Sequence, residues 1–302
     1  MARAVVRVGA VDIGTNTVRL LVADVAEGEF EDIERLVEIV GLGRGVDATG
    51  RFDSGRVEAA LAVLRDYGAR ASAHGVEILR AVATSATRDA EDGLNFLEEA
   101  AEALGHRVEL ISGLDEAGLA FRGAVRGLPP ATSLVIDPGG GSTEFVLGRD
   151  APDYSVTIDI GSVRLTERLL PERPASTERV SEVAGEVEEM FGLVRLPSVS
   201  DRVIGVAGTF TSLAAIAAGL DAYDSDIVHG SILTLDGLDR LVAHLSTLTV
   251  EETAAIPSLD PRRAPVLLAG AIVAREALRV SGREETMVSE HDLLDGIVMG
   301  LG

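Results

Sequence analysis

Apolar runs of strand length alternate along this chain with amphipathic stretches of helical period, and the order of the two predicts its elements. Residues 4–12, 17–25 and 30–40 predict three strands, with Glu27-Gly28-Glu29 as a turn between the last two. Asp53 is placed to cap a long amphipathic helix reaching about His74. A strand over 76–83, a loop, a helix near 91–104, a short strand at 107–111 and a helix from about Leu114 to Arg126 follow. Leu128-Pro129-Pro130 ends that run, and strands near 132–137, 143–148 and 154–160 restart the pattern. A last helix is expected at about 291–301, with the option of packing back on the first half. The repeated order, three strands then helix, strand, helix, predicts an α/β protein with mixed sheets flanked by helices and an interdomain cleft. The Pro-Pro boundary divides it into domains at 1–127 and 128–302.

Two of the predicted hairpins share one design. Asp12-Ile13-Gly14-Thr15-Asn16-Thr17 and Asp137-Pro138-Gly139-Gly140-Gly141-Ser142-Thr143-Glu144 each end an apolar strand with Asp, turn through Gly and hydroxyl residues, and enter a second apolar strand. Glycines lacking a Cβ let successive backbone amides approach phosphate oxygens, and Ser and Thr hydroxyls add donors. An Asp beside a phosphate site suits Mg²⁺, whose charge offsets carboxylate–phosphate repulsion. One such loop alone reads as a tight turn; the pair, with a third Gly208-Thr209 turn opening an apolar helix, points to phosphate.

Composition narrows the classes. The chain has 302 residues, a size at which two domains are the ordinary expectation, and no Cys, so disulfides and thiolate chemistry are excluded. No stretch approaches the roughly 18–20 uninterrupted apolar residues of a membrane helix. Met1-Ala2-Arg3-Ala4 does not open a signal peptide, since Arg7, Asp12 and Arg19 interrupt any hydrophobic region, and a cytoplasmic protein is expected. The net charge of −22 disfavours nucleic acid as a partner. An anionic substrate must therefore be held by local donors and Mg²⁺ against a repulsive field, which salt screens beyond about 8 Å.

Six blocks, in order, resemble the exopolyphosphatase and guanosine pentaphosphate phosphatase family of the actin-like, sugar-kinase and Hsp70 ATPase superfamily: residues 12–20, 83–90, 111–117, 137–144, 161–167 and 205–209. The resemblance spans nearly the whole chain and implies two ribonuclease H-like (actin-like) domains with five-stranded mixed sheets. It implies a water-activating carboxylate at Glu116, which the helix start predicted there would help keep ionised, although acidic residues also simply decorate helix N-termini. Asp12 and Asp137, one from each domain, are implied as the metal-associated pair, with Mg²⁺ as cofactor and Mn²⁺ as the alternative. Glu144 matches an acid that positions metal or water, and equally suits a solvent-facing strand position. Gly139, Gly140, Gly141, Ser142 and Thr143 form the implied phosphate cradle, with Gly14, Thr15, Asn16 and Thr17 opposite and Gly208 and Thr209 as a further anion site. Arg88 in a crossover loop and Arg164 in a helix first turn are candidate anion contacts, whereas Arg19 on its strand suits structure or the cleft wall.

The implied activity is release of orthophosphate from inorganic polyphosphate by in-line attack of water, with no phosphoenzyme. The alternative is removal of the 5′-γ-phosphate of guanosine pentaphosphate; guanosine tetraphosphate or pentaphosphate can also act as an inhibitor. A small-molecule kinase and an alarmone-binding module stay open as other classes. Pro138, Asp115, Gly118 and Asp92-Gly93 depart from the family's usual residues, which puts contacts from those positions in doubt. The end of the chain at Gly302 suggests a preference for short polyphosphate, and the apolar stripe Ala264 through Leu278 suits either a homodimer face or a core.

Overall fold

In a computed structural model, which describes residues 5–197 and 200–301, the chain forms two compact units. One comprises Met1–Arg126 with His291–Gly302, the other Gly127–Glu290. The expected strand start at Ala4 and the Met1-Ala2-Arg3-Ala4 segment lie outside the described residues.

The first unit runs β1 (Val6–Ile13), β2 (Thr17–Ala26), β3 (Glu29–Ile39), α1 (Val46–Thr49), α2 (Ser54–Ala73), β4 (Ile78–Ala83), α3 (Ser85–Asp89), α4 (Gly93–Leu104), β5 (Val108–Leu110) and α5 (Gly113–Ala124). Its sheet has the order β3-β2-β1-β4-β5, antiparallel across the first three strands and parallel from β1 to β5. Strand side chains alternate between faces, and here both faces are covered. Val11, Ile13, Val18, Leu20 and Val22 join one core cluster, while Val8, Ala10, Leu21, Ala23 and Val25 join the cluster on the other face. The same period places Asp12 on the face of Val8 and Ala10, and its register partner Arg19 on the face of Leu21. Helix α2 is capped by Asp53, whose side chain accepts from Arg56 N, as its sequence predicts. Where a loop was expected after β4, the five residues of α3 are helical; a single turn is too short to show a period.

The second unit contains β6 (Ser133–Pro138), β7 (Thr143–Gly148), β8 (Pro152–Ile158), α6 (Ser162–Leu169), α7 (Thr177–Gly192), β9 (Arg202–Gly205), α8 (Ala207–Ala217), α9 (Ser225–Val228), β10 (Ile232–Thr234), α10 (Leu235–Ser246), α11 (Val250–Ala254), α12 (Ala264–Val280) and β11 (Glu285–Val288). Its sheet, β8-β7-β6-β9-β11-β10, repeats the order of the first and adds a strand. Six strands thus replace the expected five. The addition, β10, is three residues pairing antiparallel with β11, below the length at which alternation is visible in sequence. Strand β8 starts two residues earlier than expected because a register shift at Leu147/Gly148 pairs Gly148 with Pro152. Residues 264–278 lie in α12, and most are buried in the core of this unit, so the stripe supplies no exposed face for self-association.

The last helix, α13 (Leu293–Met299), belongs to the first unit and packs along α5. Glycines let the two backbones touch. A Cβ on Gly123 would stand 1.8 Å from the Asp292 carbonyl oxygen, and one on Gly296 would stand 2.0 Å from that of Leu119. No helix among the described residues is long and apolar enough to cross a membrane.

Candidate active site

The acidic centre of the first unit is assembled at the C-terminal ends of β1 and β4 and the N-terminus of α5. Asp12 is 4% exposed, and its Oδ2 accepts from Arg19 Nε at 2.9 Å and pairs with Nη2 at 2.8 Å. Arg19 Nη1 binds Asp292 Oδ2, so one guanidinium bridges two carboxylates. Asp12 Oδ1 is buried and has no hydrogen-bond partner. Burial raises the Asp12 carboxyl above its ordinary value, Arg19 opposes the rise, and Asp292 adds to it.

Glu116 occupies the first turn of α5. Ser112 caps that helix, accepting from Asp115 N at 3.2 Å, and the turn presents Glu116 toward Arg88 of α3. Arg88 Nη1 donates 3.1 Å to Glu116 Oε2 and 2.8 Å to the Ile111 carbonyl, which fixes the guanidinium between β5 and α5. The Glu116 side chain is only 13% exposed. Burial pushes its carboxyl up to about 7 and the negative charge of Asp12 adds to this, while Arg88 and a hydrogen bond from Thr84 pull the other way. A carboxyl poised near neutrality is what a general base requires.

The β1–β2 hairpin tip is held from two sides. Gly14 N donates to Thr17 O at 2.9 Å, and the Thr15 and Ser85 hydroxyls are 2.8 Å apart. The loop after β3 also binds it, with Gly43 N donating to Thr15 O and both Val40 N and Gly41 N to Asn16 O. Thr15 and Asn16 are consequently buried, and the Thr15 hydroxyl is engaged with Ser85.

In the second unit, β6 and β7 pair Asp137 with Glu144 and Pro138 with Thr143, so the glycine turn projects from the hairpin end. Glu144 is 2% exposed, which discards the solvent-facing alternative. Gly139 N closes the turn on Ser142 O at 2.9 Å. The start of α6 then docks on it: Ser162 N donates to Gly139 O at 3.0 Å, and Val163 N and Arg164 N to Gly140 O at 2.9 and 3.2 Å. A Cβ on Gly161 would lie 2.4 Å from Gly140 C, so this approach needs glycine. The Thr143 hydroxyl is committed to Ile160 O at 2.6 Å and serves to hold β7 rather than to offer a donor. Thr209 Oγ1 donates to Pro138 O at 3.3 Å, which ties the start of α8 to the same turn. Ala207, just before, takes φ 63, a left-handed conformation that is strained for a residue with a side chain. The guanidinium of Arg263 covers Gly208, where a Cβ would be 2.0 Å from Nη1.

Asp12, Glu116, Arg88 and the Gly14–Thr17 tip are thus gathered in one unit, and Asp137, Glu144, the 139–143 turn, Arg164, Gly208 and Thr209 in the other. Sequence reasoning missed Asp292, Thr84, Ser85 and Arg263. The Asp292-x-x-Asp295 pattern, which encloses Leu293-Leu294, is a capping signal legible in the sequence, whereas Asp292 lies 273 positions from Arg19. Among the described residues no group of three or more His, Cys, Asp or Glu side chains is arranged to hold a metal. The buried, unpartnered Asp12 Oδ1 nevertheless fits Mg²⁺, a hard ion usually bound by one or two carboxylates with water and phosphate oxygens completing its shell.

The model of the Ppx/GppA phosphatase family matches residues 21–301. Exopolyphosphatase 2 of Mycobacterium tuberculosis is 42% identical over 316 aligned residues, covering 99% of both chains. The crystal structure of an exopolyphosphatase-like protein superposes with a TM-score of 0.92 at 35% identity, covering 99% of this chain and 98% of the other. That of the Aquifex aeolicus member of the Ppx/GppA family gives 0.84 at 31% identity, covering 99% and 98%.

Proposed function

The chain belongs to the Ppx/GppA phosphatase family, and on that premise we propose that it is an exopolyphosphatase, cleaving the terminal phosphoanhydride bond of inorganic polyphosphate. The observation that carries the catalytic assignment is Glu116, a largely buried carboxyl brought to about 7 beside Arg88 and Asp12. Water attacks the terminal phosphorus while Glu116 accepts its proton; the bridging P–O bond breaks, giving orthophosphate and a chain one phosphate shorter. The amides of the Gly139–Thr143 turn, at its open end, and those at the start of α8 suit the phosphate oxygens, with the Arg88 and Arg164 guanidiniums as further contacts. Asp12, with Asp137, is the proposed holder of Mg²⁺ or Mn²⁺, which when bound offsets the charge of the phosphates. Glu144, buried at the base of the turn and in register with Asp137, is the proposed acid that positions the metal or the attacking water.

The assay is orthophosphate release from short and long polyphosphate and from guanosine pentaphosphate, with Mg²⁺, Mn²⁺ or EDTA. Metal-dependent release from polyphosphate is expected. Release from guanosine pentaphosphate alone would move the substrate to the alarmone, and transfer from ATP to a small acceptor in place of hydrolysis would overturn the reading.

A pH profile tests the base. The ionised form is the active one, so at fixed free metal kcat/KM should climb about tenfold per pH unit up to about 7 and level off above it. A flat profile between pH 5.5 and 8 would count against Glu116 as base. The cradle has its own test in Gly161→Ala, whose Cβ must push α6 off Gly140 at a cost of about 1–3 kcal/mol in this packed contact. We expect KM for polyphosphate to rise by more than kcat falls, and an unchanged KM would separate the turn from substrate binding.

A further inference from the structure

Arg19 is shared between two acids, and the way it is shared has a chemical consequence. Both of its contacts to Asp12 fall on one oxygen, Oδ2, through Nε and Nη2, while Nη1 is drawn to Asp292. Asp12 Oδ1 is left buried and without a hydrogen bond. A guanidinium facing a single carboxylate ordinarily binds it through both oxygens, a fork-to-fork arrangement. Here both donors converge on Oδ2, and Nη1 goes to the second acid. Asp292 is itself fixed, because its Oδ1 accepts from Leu294 N at 3.0 Å as the cap of α13, and its backbone N donates to Asp295 Oδ2 at 3.0 Å. Helix α13 also packs along α5, which carries Glu116.

We propose that Asp292 is a positioning residue that draws Arg19 away from Asp12 Oδ1 and so keeps that oxygen available to a divalent cation. The charge count agrees: with Glu116 ionised, as a base must be, Asp12, Asp292 and Glu116 set three carboxylates against the two guanidiniums of Arg19 and Arg88. An added cation balances the excess. This inference rests on the proposed metal role of Asp12 and extends the active centre to the C-terminal segment, 273 positions away in sequence from Arg19.

The test is Asp292→Asn in the full chain, since Asn retains the helix cap and removes only the charge. Two quantities are read: the Mn²⁺ dissociation constant, from the free-ion electron paramagnetic resonance signal, and the Mg²⁺ concentration giving half-maximal orthophosphate release. Outer-shell partners of metal ligands typically change affinity about 10–100-fold, and a rise of about tenfold or more is expected in both, with excess metal restoring turnover. Arg35→Gln is the control, because it weakens the docking of α13 through Asp295 while contacting neither Arg19 nor Asp292. It should lower the unfolding midpoint and leave both metal values unchanged. Unchanged metal values in Asp292→Asn, or equal shifts in the two variants, would overturn the proposal. Asp12→Asn separates this from its premise: if that variant binds Mn²⁺ as the native chain does, the metal role of Asp12 is what fails.

Discussion

Replacing Glu116 with Gln is expected to lower the rate of orthophosphate release by about 10²–10⁴-fold, the range supplied by a positioned general base, and to make the protein more stable. The two effects share one cause. The Glu116 carboxyl is raised by burial from its ordinary 4.5 to about 7, so the folded state binds this proton more tightly than the unfolded state does. Between those values stability falls as pH rises, and above about 7 the full cost of holding the charge in the fold is present. Gln reproduces the uncharged form. At about 1.36 kcal/mol for each tenfold difference in proton affinity, the variant should gain roughly 1–3 kcal/mol at pH 8, with the gain vanishing near pH 4. Urea unfolding of both proteins at the two pH values measures it. A destabilised variant at pH 8 would mean that the ion pair with Arg88 outweighs the burial, and that Glu116 belongs to the scaffold.

The apolar runs and their period gave β1, β2, β4 and the capped helix α2 closely, because alternation and capping are local properties. The glycine hairpins were legible for the same reason, since the turn and its flanking strands lie within a dozen residues. Short elements were not: α3 and β10 have too few residues for any period to register. The pattern around Arg88 therefore reads as a loop, although the short helix α3 is what aims it at Glu116. Roles that depend on partners distant in sequence were also hidden. Arg19 looks like one polar residue in an apolar strand until Asp292 arrives on α13, and Thr143 looks like a phosphate donor until its hydroxyl is found on Ile160. The residue types pointed to phosphate chemistry, but the division of labour among them is set by tertiary contacts.

The same logic makes Asp295→Ala a strongly damaging change to the fold. Asp295 is 0% exposed and sits in the first turn of α13, where its Oδ2 accepts from Asp292 N and so closes the capping box. Arg35 of β3 grips both of its oxygens, at 2.9 and 3.2 Å, and His291 Nδ1 is 2.9 Å from Oδ1. Arg126, whose Nη1 is 3.8 Å away, also stacks over the Phe30 ring. Removing this buried carboxylate takes the acceptor from Arg35 Nη1 and Nη2, although Asp32 still holds Nε, and breaking a buried ion pair in this way costs about 3 kcal/mol. Burial alone would raise the Asp295 carboxyl, but the His291 hydrogen bond and the Arg35 guanidinium outweigh it and hold it well below the usual range. A lowered carboxyl value stabilises the fold above the unfolded value of about 3.9 and loses that contribution as pH falls toward the folded one. The gap in unfolding free energy between native chain and variant should thus be wide at pH 7 and narrow below pH 4. Because α13 rests on α5 through Gly123 and Gly296, the loss should spread to the turn that carries Glu116. Amide hydrogen exchange in Gly113–Ala124 should quicken in the variant at a temperature where it remains folded. Unaltered exchange there, with the same unfolding midpoint, would show that the C-terminal helix is dispensable to the centre it touches.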